Sequence, residues 1–271
     1  MFEALSFQFF QNALIVAVLA SIAAGVIGTY IVIKRMSLIS GSIAHTAFGG
    51  LGISYFLNAN PLIGGAIFSL ISAVSIALFR KNARDRIDTL LSFLWATGMA
   101  IGLVFIFLTP GYATDLFTYL FGNILLVSRF DLYMILFLDV IILTMVYLMY
   151  NSFLAVTFDE EYSETRNMPV TLVNMIIFAL IALTIVATIR VVGIVLMIAI
   201  LTIPAATAQM FHKTVKKIMV TSSLITLFAS ISGLFISYYL NFATGPIIVL
   251  IISAIYLCGI FLSKLSVPYF N

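Results

Sequence analysis

Two histidines, ten acids and one cysteine are all that this 271-residue chain offers for proton transfer or metal ligation. Their settings differ. His45 lies in SLISGSIAHTAFGG (37–50), inside a long apolar stretch and eight residues past its start. At about 1.5 Å of rise per residue it sits near mid-depth of a membrane helix, where an ionisable group is costly and often functional. Its imidazole would suit zinc, copper, ferrous iron or nickel. On a helix Gly41, His45, Gly49 and Gly52 share one face, with Ser42 and Thr46 beside it. A nearly side-chain-free stripe could open the imidazole to a lumen, making Gly41, Ser42, His45, Thr46 and Gly49 a transport pathway. It could equally be a small-residue packing seam holding one hydrogen-bonded histidine.

Asp139, in FLDVII, is the second ionisable group at mid-depth. It is either a metal-ligand or proton site, or a buried acid hydrogen-bonded to a neighbouring helix. Nothing beside it makes a polar face, which favours the second. His212 lies among Lys213, Lys216 and Lys217 and reads as a surface residue. Cys258 lies in an apolar run, can form no internal disulfide, and reads as a packed core thiol.

Absences narrow the chemistry. The sequence contains no G-x-x-x-x-G-K-[ST] phosphate loop, no H-E-x-x-H and no paired Cys or His at metalloenzyme spacing. Neither histidine has a plausible Ser and Asp partner. An enzyme acting alone is improbable, and a conduit is the natural remainder.

The elements that must hold these residues are membrane helices. Hydrophobic residues make up 63% of the chain, charged residues 8%, and the mean hydropathy is +1.22. A soluble domain averages about 25% charged residues. The net charge of +3 therefore says little about nucleic acid, and none is expected as a partner. Nine continuous apolar segments approach the ~20 residues needed to cross a bilayer: 12–33, 37–57, 61–79, 89–108, 131–150, 169–189, 191–210, 218–240 and 246–263. The expectation is an all-α polytopic membrane protein of about nine spans, with eight as the lower count, forming one transmembrane domain over 1–271. The first segment lacks a basic lead-in and reads as a permanent span rather than a cleaved signal.

If all nine segments cross, Lys34, Arg35, Arg80, Lys81, Arg84, Arg86, Arg166, Lys213, Lys216, Lys217 and Lys264 fall on one side. Only Arg129 and Arg190 fall on the other. The positive-inside rule then places the N-terminus outside and the C-terminus in the cytoplasm.

Two pieces do not span. Thr109 to Phe130 is polar and broken, and reads as an outer interfacial or re-entrant segment with Tyr112, Phe117, Tyr119 and Phe121 at headgroup level. Residues 151–168 read as a short cytoplasmic helix across the base of the bundle. Its acids Asp159, Glu160 and Glu161 suit a helix N-terminus, and Pro169 opens the next span. Gly98 and Gly102 form a GxxxG packing motif. Pro204 predicts a kink, with Thr202 or Thr207 able to satisfy the freed backbone.

Five stretches occur together in one order: KRMSLISGSIAHTAFGG, TGMAIGLVF, LFGNILLVSRFDL, FLAVTFDEEYSETRNMPV and VVGIVLMIAILTIPAATAQM. From about Gly25 to its end the chain resembles the membrane-spanning permease of metal-ion ABC importers, the class that takes up zinc, manganese or ferrous iron. The resemblance implies a homodimer in a bacterial or archaeal cell membrane, two cytoplasmic ABC ATPase subunits that hold the ATP, and an extracytoplasmic metal-binding protein. The chain itself would bind no cofactor. FDEEYSETRNMP matches the family's coupling loop, which makes Asp159, Glu160, Glu161 and Arg166 contacts to the ATPase. Many members carry an acid four residues before the histidine, where this chain has Gly41. The expected partner carboxylate of His45 is missing, which tilts the ion toward zinc, since carboxylate favours manganese. The alternatives are a proton-coupled carrier using His45 and Asp139 without an ATPase, and a non-transporting assembly factor.

Overall fold

A computed structural model describes residues 6–82, 86–109 and 120–266. The described residues form eleven α-helices and one 3-10 turn at Ile124–Leu126, with no strand among them. In chain order the helices are α1 (Gln8–Ile33), α2 (Ser37–Phe56), α3 (Pro61–Asn82), α4 (Ile87–Leu108), α5 (Arg129–Leu148), α6 (Tyr150–Phe158), α7 (Glu160–Thr165), α8 (Val170–Val192), α9 (Met197–Phe211), α10 (Val215–Leu240) and α11 (Thr244–Ser266). Hydrocarbon offers backbone groups no partners, so these Val- and Ile-rich segments become helices regardless of propensity.

Each of the nine apolar segments coincides with a helix. Seven, α1, α3, α4, α5, α8, α10 and α11, are long and apolar enough to cross a membrane. The remaining two fall short for different reasons. α9 has 15 residues, and α2, with 20, carries too many small and hydroxyl side chains.

The bundle is built around α1 and α8, whose apolar windows are 67% and 72% buried, against 17% for α4 at the edge. α1 earns the centre by being small: Ala13, Ala17, Ala20, Ala23, Ala24, Gly25 and Gly28 are all buried. A Cβ at Gly28 would run into the Leu201 carbonyl of α9, and one at Gly25 into Ser223 of α10. Close backbone approach of this kind replaces the hydrophobic drive that lipid removes.

Tight turns join the helices. After α1, Met36 N–H donates to the Ile31 carbonyl at 2.8 Å and Arg35 N–H to Val32 at 3.0 Å. This is the paired C-terminal closure usually built on glycine, here with Arg35 at φ 56°. Asn58, Asn167 and Asn241 take the same left-handed conformation, which Asn adopts more readily than Arg. At the head of α5, Ser128 and Asp131 form a reciprocal capping box, with Ser128 N–H donating to Asp131 Oδ2 at 3.0 Å and Asp131 N–H to Ser128 Oγ at 3.2 Å.

Three expectations change. Cys258 is exposed on α11 rather than packed in the core. Pro204 frees the Ile200 carbonyl, yet Thr202 and Thr207 donate to Ile198 and Ile203, because a helical threonine bonds its own i−4 carbonyl. The segment expected to be one cytoplasmic helix is two helices, α6 and α7, with Asp159 extended between them. Of the interfacial segment, Tyr112, Phe117 and Tyr119 lie outside the described residues, while Phe121 is exposed.

Candidate functional site

The small-residue stripe of α2 lies against α4. Ser42 Oγ donates to the Leu91 carbonyl at 3.0 Å and Thr46 Oγ1 to Leu94 at 3.2 Å. Further along, a Cβ on Gly49 would meet the Gly98 carbonyl oxygen at 2.9 Å, and one on Gly52 the Gly102 carbonyl oxygen at 2.5 Å. The GxxxG of α4 is therefore the counterpart of the α2 stripe, glycine against glycine. Two helices approach this closely only where neither carries side chains.

His45 belongs to the same seam. Its ring stacks on Trp95 of α4, centroids 4.1 Å apart and planes 22° from parallel. The residue is 7% exposed, and its Nδ1 is buried without a hydrogen-bond partner. Gly41, one turn earlier, is where Trp95 finds room: a Cβ there would strike the Trp95 ring and reach Ile198 Cδ1 of α9 at 2.7 Å. Gly41, Ser42, His45, Thr46 and Gly49 are thus brought together, all buried. His45 Nδ1 is a free ligand atom, but it stands alone: no group of three or more His, Cys, Asp or Glu occurs among the described residues.

Asp139 is on α5, away from this seam, and is 3% exposed with neither carboxylate oxygen hydrogen-bonded. Among the described residues the neighbouring-helix partner expected from the sequence is not found, and α5 does not pack along α2, so Asp139 is not placed with His45 as a second ligand. A buried polar group left unpaired costs about 1–3 kcal/mol, more if charged.

A charged cluster lies at the head of α7, where the sequence singled out acids but not their partners. Glu160 opens α7, and its Oε1 receives Lys34 Nζ at 3.0 Å and an Arg80 guanidinium nitrogen at 3.1 Å. Asn174 of α8 donates to the same oxygen at 3.3 Å and accepts from Lys34 Nζ at 2.6 Å. One carboxylate thus joins the ends of α1, α3 and α8. The Lys34 side chain is only 3% exposed and that of Glu160 20%. Burial raises the Glu160 pKa, but the charges of Lys34 and Arg80 lower it further, so the carboxyl is held below its ordinary value. Burial is the largest influence on Lys34 and lowers its pKa, Glu160 raises it, Arg80 lowers it again, and the amine is left below its ordinary value. Two cations share one anion, which leaves the deeper cation undercompensated.

Asp159, Glu161 and Arg166, the other residues expected at an ATPase contact, are exposed. Asp159 Oδ1 caps α7 by accepting Tyr162 N–H at 2.8 Å, Glu161 faces outward, and Arg166 lies over the Tyr162 ring at 5.9 Å. Sequence reasoning missed Trp95, Lys34, Arg80 and Asn174. A polar Asn174 in the first turns of an apolar helix was the one available signal.

The family described as the ABC 3 transport family matches residues 6–263. A membrane protein of Synechocystis is 42% identical over 96% of this chain and 92% of its own length. The manganese transport system membrane protein MntC of Listeria monocytogenes is 33% identical over 93% of this chain and 90% of its own. Among solved structures, PsaBC from Streptococcus pneumoniae, in complex with Fab, superposes with a TM-score of 0.85 at 34% identity, covering 94% of this chain and 92% of that one.

Proposed function

Because this chain belongs to the ABC 3 transport family and is a multi-pass protein of the bacterial cell membrane, we propose that it is the permease subunit of an ABC importer for a divalent transition-metal ion. The observation that carries the reading is the family match across nearly the whole chain. The chain holds no phosphate loop, so ATP hydrolysis belongs to partner ATPases, which dock against α7 and its exposed acids. Two permeases form the pathway, and an extracytoplasmic protein delivers the ion.

For the ion, manganese takes precedence over the zinc suggested by a lone imidazole, since relatives such as MntC are named for manganese. His45 then serves as a transient contact rather than a holding site. A conduit must release what it binds, and one imidazole per subunit, with Trp95 where a carboxylate would project, binds weakly.

The test is co-purification and reconstitution. A stoichiometric ATPase should accompany the chain, and ATP should drive manganese uptake into liposomes. Proton-driven uptake by the chain alone would replace this reading with a secondary carrier.

A further inference from the structure

α7 reaches the bundle through a half-buried carboxylate that holds one fully buried cation, Lys34, and one half-buried cation, Arg80. Exposed ion pairs are worth about 0–1 kcal/mol and break freely with side-chain motion, so they transmit little displacement. Breaking a buried pair leaves an uncompensated charge and is strongly resisted. The Glu160 cluster is of the second kind: Lys34 is 3% exposed, and every partner of Oε1 comes from a different helix, α1, α3 or α8.

What Lys34 is attached to matters equally. It caps α1, and the next two residues form the closed turn around Arg35, pinned by Met36 N–H to Ile31 at 2.8 Å. α2 begins at Ser37. No slack separates Lys34 from α2, and His45 stands eight residues along that helix, about 12 Å by helical rise. Arg80 plays the same part at the end of α3, which packs along α2. Lys34 and Arg80 therefore grip both ends of the α2–α3 hairpin from a single oxygen.

We propose that Glu160 is the link through which movement of α7 is passed to the bundle, with Lys34 and Arg80 as positioning residues that carry it into the α2–α3 hairpin and so to His45. This rests on the permease reading above, with α7 as the segment the ATPase moves. The cluster is a force-bearing joint, distinct from the outward acids that meet the partner.

The test uses the complete importer in proteoliposomes, comparing Lys34→Met, Lys34→Arg and the charge exchange Lys34→Glu with Glu160→Lys. Manganese taken up per ATP hydrolysed is the readout. Lys34→Met should keep its ATPase and hydrolyse ATP within two-fold of the unmodified complex, while uptake per ATP falls at least ten-fold. Lys34→Arg should restore at least half of it. The charge exchange should exceed Lys34→Glu alone. In the purified chain, amide hydrogen exchange over 160–165 should rise in Lys34→Met while 150–158 stays unchanged. Unaltered uptake per ATP in Lys34→Met overturns the link. If Lys34→Met fails to fold, a folded charge exchange with no recovery over Lys34→Glu overturns it instead. An unmodified chain that retains no ATPase removes the permease reading itself, whereas a bound ATPase with an unmoved ratio removes only the link.

Discussion

The Trp95 ring fills the space that a side chain at Gly41 would need, and it does so while stacking on His45 one turn away. A carboxylate at position 41 would therefore meet the Trp95 ring of α4 and not an open gap.

Introducing an acid at position 41 should consequently fail on its own. Gly41→Asp overpacks the seam, at about 1–3 kcal/mol for the steric term alone, and buries a carboxylate besides. Thermal unfolding in detergent should show a lowered midpoint, and adding Trp95→Ala should recover part of it. An unchanged midpoint for Gly41→Asp alone would show that Trp95 moves aside freely.

His45→Ala should separate transport from folding. The stack on Trp95 contributes about 0.5–1.5 kcal/mol, a modest shift in the unfolding midpoint. If the imidazole touches the ion, uptake in the reconstituted importer should fall several-fold with the ATPase still bound. Loss of folded protein instead would make His45 a packing residue only.

Asp139 carries a prediction of opposite sign. With both oxygens buried and unpaired among the described residues, Asp139→Leu should leave stability unchanged or raise it, because it removes an unsatisfied polar group. A drop of about 2 kcal/mol or more, read from chemical unfolding, would mean that the carboxylate has a partner in the assembled dimer.

The charge cluster predicts a pH dependence. Glu160 is held below its ordinary 4.5, so the stability it lends is fully present above that pH and lost as pH falls through its lowered folded value. Lys34 is lowered from 10.5; its charge opposes folding at neutral pH, and the cost is relieved as pH rises through its lowered value. The unfolding midpoint should therefore decline below about pH 4.5, and Glu160→Gln should flatten that acid limb. Glu160→Leu, leaving Lys34 buried and sharing no anion, should cost about 3–5 kcal/mol.

Much of this molecule was legible in one dimension. Hydropathy located nine helical segments, since in lipid a continuous apolar run has no stable form but a helix. The acid run announced α7, Pro169 announced α8, and the glycines of α2 and α4 announced close contact. The split at Asp159 escaped notice because one extended residue between two short helices leaves no periodic signature. Cys258 was misplaced for a related reason: in a membrane protein an apolar run is apolar on both its lipid face and its packed face, so composition cannot say which way a thiol points.

Composition and hydropathy were enough to establish a helical membrane protein, its helical segments and the few polar residues that could matter. What those residues face came only from the packing of the helices. Gly41 and Trp95 are 54 positions apart, and Lys34 and Glu160 126 apart, distances over which no local period or propensity carries information. A helix stripe specifies that something fits closely against it without specifying what, and a basic residue at a helix end reads the same whether it faces water or a buried carboxylate. The packing of α2 on α4, and the reach of Glu160 to Lys34 and Arg80, turned both into particular contacts.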